Sequence, residues 1–487
     1  MDLILIILLP ILVVCGCAWY RFNPQIPKVI STLPALLLGV VIAGSVFGHD
    51  FFHAPFGPIP ITLDRLLLLT ALVMFAWRWL KGREDLPNFN SMDLAIFIWI
   101  VCLTLNTLSH DWRAMDKSPM SRLLFFNLLP VTIYFLARTY KTKIGDLRVI
   151  TLVLGGFGIY LALIALAEIS EFYAVIFPRY IVNSEEVEFF GRGRGPFLNP
   201  VSNGIFLSVC LCCSWMWWPR LNRLGKSGLI LIGGLLGAGC FATLTRSVWL
   251  GFVVGAGIFI WLPASRKQKG ILVVATTIIA IIIAFPYVSD KIWAFKRDKY
   301  VSVADMEQSA QLRELFLTIA VDMFQDRPLL GCGFGQYTIA KRPYLQDPYS
   351  GQPLSLAKPF YQHNVFLAHL VETGLVGLIT LLWVLAVVAY ASWSIWRDDS
   401  LDLWPRQFGL LSLVVIAHYF ISGMFHDVSI VPMNQTLFFF LAGIINNIKS
   451  NGPAFSNSQS STSNHDPAPA DQFDFELPSF GEKATFT

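Results

Sequence analysis

The chain has 487 residues, of which 55% are hydrophobic and only 14% charged. An ordinary soluble protein is about 25% charged, so a water-soluble globule of this length is excluded. A net charge of +4, with its basic residues scattered, gives no footprint for a nucleic-acid partner.

Apolar runs long enough to cross a hydrocarbon layer of about 30 Å recur along the sequence. Hydropathy places thirteen spans near residues 2–20, 28–48, 61–80, 93–109, 121–138, 147–168, 195–218, 227–243, 247–263, 270–288, 363–392, 405–424 and 431–448. The first is kept as a helix, because Asp2 stands where a signal peptide has basic residues and no small-residue cleavage site follows. Lys and Arg concentrate in the odd-numbered loops, as in Arg138, Lys141, Lys143 and Arg148, which makes those loops cytoplasmic. The N-terminus is then outside, the C-terminus inside, and the long segment 289–362 outside. The expected organisation is a transmembrane domain over 1–450 that includes this loop, and a disordered cytoplasmic tail over 451–487 rich in Ser, Asn, Pro and Asp.

Seven of the cysteines, Cys15, Cys17, Cys102, Cys210, Cys212, Cys213 and Cys240, lie in apolar runs, where a thiol acts as a small hydrophobe. Cys332 sits in the long polar loop, so a disulfide framework is not expected. The spacing of Cys210, Cys212 and Cys213 spreads the thiols around a helix, and no metal site is expected.

Arginines on the outer face need a reason other than topology. Arg65 opens the third span, Arg122 the fifth, and Arg192 and Arg194 lie in GRGRGPFLNP before the seventh. Arg246 is the sole charge in LTRS, a tight outward turn inside the stretch 227–263, which is too long for one span. A guanidinium held near hydrocarbon is costly, and its planar fork suits a phosphate. The plainer alternatives are snorkelling to the headgroups or pairing with Asp64, Glu186 or Glu188. Gly193 and Gly195 would leave backbone amides open to phosphate oxygens, although Gly and Pro also mark a simple bend.

In the long loop, QSAQLRELFLTIAVDMF predicts an amphipathic helix with Leu312, Leu315, Phe316, Ile319 and Met323 on one face. It is expected to lie on the membrane surface or cover a cleft, with Arg313 off the stripe. Gly331, Gly333 and Gly335 imitate a dinucleotide loop without its βαβ context, and read as a turn returning to the bilayer. His363 opens the eleventh span at the outer interface. At about 100° per residue, His369 and Glu372 fall on other faces, which leaves His363 as the candidate for proton transfer; a packed interfacial ring is the bland alternative. His426 and Asp427, in the FHDVS loop, are secondary candidates together with Arg65 and Arg122. No P-loop, nucleophile elbow or paired metal carboxylates occur in the sequence, so outer-face chemistry must draw on an activated substrate.

RGRGPFLNPVSNG, LTRSVWLG, QLRELFLTIAVDMFQDRPLLGCGFGQY and HNVFLAHLVETGLVGL, in this order, resemble the O-antigen ligase and polymerase family of bacterial envelope glycosyltransferases. The resemblance covers roughly residues 190–390. It implies an all-α polytopic membrane fold of about 12–13 transmembrane helices with one long periplasmic loop, GT-C-like in architecture. It also implies a metal-independent, cofactor-free glycosyl transfer at the periplasmic face of the bacterial inner membrane. The donor would be a glycan on undecaprenyl diphosphate, the acceptor a hydroxyl on lipid A core or on a growing glycan. By motif, Arg192 or Arg194, Arg246 and Arg313 would grip the diphosphate, and His363 would orient or deprotonate the acceptor. Two departures are visible: Arg194 adjoins Arg192 and could substitute for it, and the count of thirteen spans exceeds the twelve common in the family. Outside the family, a transporter or flippase for lipid-linked or anionic solutes is the main rival, and a structural subunit of an export complex the other.

Overall fold

The computed structural model describes residues 31–49, 51–54, 60–82, 86–113, 118–183, 189–265, 267, 269–270, 303–346 and 353–455. The expected span 2–20, the expected span 270–288 apart from Gly270, and the tail beyond 455 lie outside the described residues. So do Glu186 and Glu188.

The described chain is helical, with one isolated bridge between Ala54 and Ile61. The helices are α1 (Thr32–Val46), α2 (Leu63–Leu80), α3 (Ser91–Leu108), α4 (Pro119–Thr139), α5 (Ile144–Ile169), α6 (Pro200–Trp215), α7 (Arg223–Ala242), α8 (Arg246–Trp261), α9 (Val303–Asp326), α10 (Val365–Arg397), α11 (Leu403–Phe425) and α12 (Pro432–Ser450). Among the described residues seven of these, α3 to α7, α10 and α11, are long and apolar enough to cross a membrane, and α1 and α8 are shorter apolar helices. The protein is an all-α polytopic membrane protein.

Caps fix where the helices begin. Asn90 and Asp93 form a reciprocal capping box on α3. Pro119 and Pro200 occupy first turns where no intrahelical N–H is needed, behind caps by Ser118 and Asn199. Asn364 caps α10 by accepting from the amides of Phe366 and Leu367 at 2.9 and 3.0 Å. The closest helix pairs are α12 on α4, α10 on α11 and α3, α8 on α11 and α6, α5 on α6 and α7, and α1 on α2. One end of α3, α4 and α12 is clamped by a buried network in which Arg138 pairs with Asp93 at 2.8 Å, Tyr134 donates to Asp93 at 2.7 Å, and Asn446 donates to Tyr134 at 2.6 Å.

Two elements depart from the expected helical pattern. Helix α4 carries a π-helical turn over Leu124–Leu128. Helix α10 is broken at Gly374, whose φ of 66° and ψ of −164° lie outside any helix. After α12 the described chain ends at Phe455, which is buried and whose carbonyl accepts from the Asp402 amide at 2.8 Å.

Candidate functional site

Because the helices alternate in direction, the starts of α2, α4, α6, α8, α10 and α12 share one face with the ends of α1, α3, α5, α7 and α11. Loop contacts tie that face together. Tyr180 donates to the Val46 carbonyl at 3.1 Å, Asn106 to Leu330 at 2.7 Å, and Asn364 to Met424 at 3.0 Å. Arg65, Arg122, Arg192, Arg194, Arg246, His363 and His426 lie at these helix starts and ends or in the loops between them.

The GRGRG loop packs on the turn between α7 and α8. The Gly193 amide donates to the Ala242 carbonyl at 2.8 Å, and Asn203 donates back to the Gly193 carbonyl at 2.9 Å. A Cβ on Gly193 would meet Ala165 Cβ at 2.8 Å and the Ala242 carbonyl oxygen at 3.0 Å, so only glycine permits this approach. The Gly195 amide donates to Glu168 Oε2 at 2.7 Å. The amides expected to stand open for phosphate are thus occupied by protein acceptors, a correction whose causes are the Ala242 carbonyl for Gly193 and, for Gly195, the Glu168 carboxylate of α5 twenty-seven positions away. Arg194 is 1% exposed, with Nε 3.6 Å from Glu168 and Nη2 donating to the Ile181 carbonyl at 2.9 Å; it holds the loop from within. Arg192 is half-buried, over the Phe189 ring at 5.5 Å. Arg246 is the first residue of α8 and is exposed.

Helix α9 covers the start of α10. Leu315, Phe316, Ile319, Ala320 and Met323 are buried with Tyr337, Leu345, Leu354, Ala357 and Val371, forming a small core of their own, while Arg313 is exposed. Cys332 joins this core, and burial pushes its thiol up to about 12. Lys341, also buried, donates to the carbonyls of Ala357, at 2.9 Å, and Phe360. This anchors the strand of chain leading to His363.

His363 stands before α10, at a left-handed φ of 49°, its ring 5.6 Å from that of Phe316 and 6.4 Å from that of Phe360. It is not on the helix, so the angular comparison with His369 and Glu372 does not apply to it. Burial lowers its pKa below the ordinary 6.5, opposed by Asp427, while Arg313 and Lys341 lower it further. A neutral imidazole flanked by two cations can take up a proton beside an anionic group.

Four backbone bonds stitch the glycine-rich turn to the break in α10. The Cys332 and Gly333 amides donate to the carbonyls of Val371 and Glu372, each at 2.9 Å, and the Leu375 and Val376 amides donate to Pro328 and Leu329 at 2.8 and 3.3 Å. At Gly374 an added side chain would run into the backbone of Leu329 and Leu330. The turn therefore completes an unwound helix instead of merely returning the chain to the bilayer. Glu372 beside it is buried and accepts twice from Arg122, at 3.0 and 3.1 Å, while Arg122 Nη2 donates to Asp427 at 3.2 Å. Asp427 also accepts from the Ser429 amide and hydroxyl at 3.1 and 2.5 Å. His426 caps α11, its amide donating to Ser422 at 2.9 Å.

A cavity of about 770 Å³ opens among α1, α2, α4 and α12. Arg65 and Arg122 line it with Tyr361, whereas Arg192, Arg194, Arg246, Arg313 and His363 do not. Arg65 donates to the Pro60 carbonyl and lies 4.0 Å over the Phe125 ring. The structure thus places Arg313, Lys341 and His363 around the loop and Arg65 with Arg122 on the cavity, with Asp427 bonded to Arg122 between them. Lys341 and Glu168 were not singled out by sequence reasoning, and Glu372 was set aside there on its helical angle from His363; a Lys in a polar loop or a Glu in an apolar helix carries no local sign of its distant partner.

Residues 228–382 match the family model described as O-Antigen ligase. The matched segment runs from α7 through the Arg246 turn, α9, His363 and the Gly374 break. No curated protein matches the chain.

Proposed function

Since the chain belongs to the O-antigen ligase/polymerase family, a group of envelope glycosyltransferases, we propose that it transfers a glycan from undecaprenyl diphosphate to an acceptor hydroxyl at the periplasmic face of the inner membrane. A ligase acting on a lipid A core acceptor is the leading form of this reading; a polymerase extending a glycan would use the same groups.

In the proposed reaction the acceptor oxygen bonds to the anomeric carbon as the bond from that carbon to the diphosphate oxygen breaks. The electron pair leaves with the lipid diphosphate, and the hydroxyl proton passes to His363. Arg246 and Arg313, both exposed, with Arg192, stabilise the charge that builds on the leaving group. Arg194 serves by holding their loop. The observation that carries the reading is His363 held before α10 against the Phe316 and Phe360 rings, within the segment that matches the family, where burial, Arg313 and Lys341 lower its pKa. That environment suits a base working next to a guanidinium-bound diphosphate. No metal enters this scheme, because guanidinium groups supply the positive charge.

The test supplies the purified full chain, in lipid nanodiscs, with a glycan linked to undecaprenyl diphosphate and lipid A core as acceptor. A new glycosidic product with stoichiometric release of undecaprenyl diphosphate is expected. Movement of the donor across the bilayer with no bond formed would establish the transporter reading instead.

A further inference from the structure

The cavity among α1, α2, α4 and α12 is not used in that scheme. Its α4 wall runs from Ser118 to Ile133, about 22 Å at 1.5 Å per residue. It is therefore a slot reaching from the loop face well into the bundle, and its volume is in the range of small-molecule sites. Val40, Leu68, Leu129 and Ile133 make its depth apolar, and Thr62, Ser118, Ser121 and Tyr361 place hydroxyls at its mouth.

The mouth carries two arginines and yet offers little spare positive charge. Arg122 is consumed by Glu372 and Asp427 together. Arg65 has Asp64 beside it in sequence and is held by the Pro60 carbonyl. A diphosphate would find these guanidiniums committed, whereas a polyol asks for donors and acceptors already held in place. The π-helical turn of α4 supplies the other half of such recognition. By widening the helix at Leu124–Leu128 it brings the consecutive rings of Phe125 and Phe126 onto the same lining. A pyranose presents a face of C–H bonds to rings of this kind. Thr62, 1% exposed, has a hydroxyl with no hydrogen-bond partner among the described residues, and it lines the same mouth. A buried hydroxyl left unmatched is destabilising, which a ligand hydroxyl would relieve.

We propose that this cavity is a glycolipid subsite, with an uncharged saccharide at the mouth against Phe125, Phe126 and Tyr361 and its hydrocarbon chain in the slot below. Resting on the transferase reading, it gives the acceptor a membrane-anchored form and an entrance apart from Arg246 and Arg313. Tyr361, two positions before His363, joins the saccharide mouth to the proposed base.

The experiment uses the full chain in nanodiscs with two photoreactive probes, an alkyl maltoside and farnesyl diphosphate, each with a diazirine in its chain, and maps the adducts by mass spectrometry. The maltoside is expected to label α4 between Leu124 and Ile133 and the facing parts of α1 and α12. Excess dodecyl maltoside should compete, and excess farnesyl diphosphate should not. Ser121→Trp, which fills the mouth, and Phe125→Leu, which keeps an apolar side chain but removes the ring, should each reduce that labelling at least fivefold. Farnesyl diphosphate labelling those positions, or maltoside labelling unchanged in both variants, would overturn the subsite. Failure of the wild-type chain to form any glycosidic product would instead sink the transferase reading, whatever the adduct map.

Discussion

Arg122 and Glu372 lie 250 positions apart and meet through two hydrogen bonds from a single guanidinium nitrogen, at 3.0 and 3.1 Å, with Asp427 on the other nitrogen at 3.2 Å. One arginine at the start of α4 thus joins the last turn before the break in α10 to the loop between α11 and α12. The three elements bring together the cavity mouth, the glycine-rich turn and the approach to His363.

Removing one member of such a set leaves the rest charged and buried. Glu372→Gln is expected to destabilise the fold by about 3–5 kcal/mol, read as a lower midpoint of thermal aggregation in nanodiscs. Arg122→Gln combined with Glu372→Gln should lose less than the two single changes added together. Strict additivity would show that the pair is not energetically coupled.

The membrane helices were readable because apolar runs of span length have few other uses. The break at Gly374 was not: one glycine within VETGLVGL costs a helix only about 1 kcal/mol, and the decisive contacts come from Pro328 and Leu329. Arginine pairing was foreseen as a possibility, yet with near neighbours such as Asp64. Arg122 pairs with Glu372 and Arg194 lies against Glu168, acids concealed in apolar helices. Hydropathy reports burial along the chain and is silent on which buried groups meet.

Chelation should leave transfer unchanged. The charge on the departing diphosphate is assigned to Arg246, Arg313 and Arg192, so excess EDTA is expected to alter the initial rate by less than twofold. Loss of activity restored by a divalent ion would require a metal in the scheme.

Acidification should inactivate through His363. Its pKa lies below 6.5 because burial disfavours the charged ring. The neutral base is then fully present above pH 6.5 and is lost as pH falls through the folded value. Stability follows the same sign, since below pH 6.5 the unfolded chain binds the proton more readily and the native state loses ground across that window. Arg313→Gln removes a neighbouring cation and should move the acid limb of kcat/KM towards higher pH. An unmoved limb would separate the rate profile from this histidine.

Lys341 offers a test of positioning. Its ammonium bonds the Ala357 and Phe360 carbonyls, and burial draws it down to about 8. Lys341→Met should lower kcat about tenfold or more with donor KM little changed, because the turn that presents His363 loses its anchor. Removing this cation should also raise the acid limb of the pH profile, which loosening of the fold alone would not do. A variant with wild-type kcat would leave Lys341 with no part in placing the histidine.

Arg246 provides the sharpest separation of charge from geometry. It is the first residue of α8, exposed at the turn against which Gly193 packs. Lysine there would keep the charge and the helix, but an ammonium cannot span two diphosphate oxygens with parallel hydrogen bonds. Arg246→Lys is therefore expected to lose at least tenfold in kcat/KM for the lipid-linked donor, about 1.4 kcal/mol of transition-state stabilisation. The acceptor KM should stay near the wild-type value, because the acceptor is assigned to the separate cavity among α1, α2, α4 and α12. Wild-type turnover in this variant would reduce the residue to a general electrostatic role, and a rise confined to acceptor KM would reverse the assignment of the two sites.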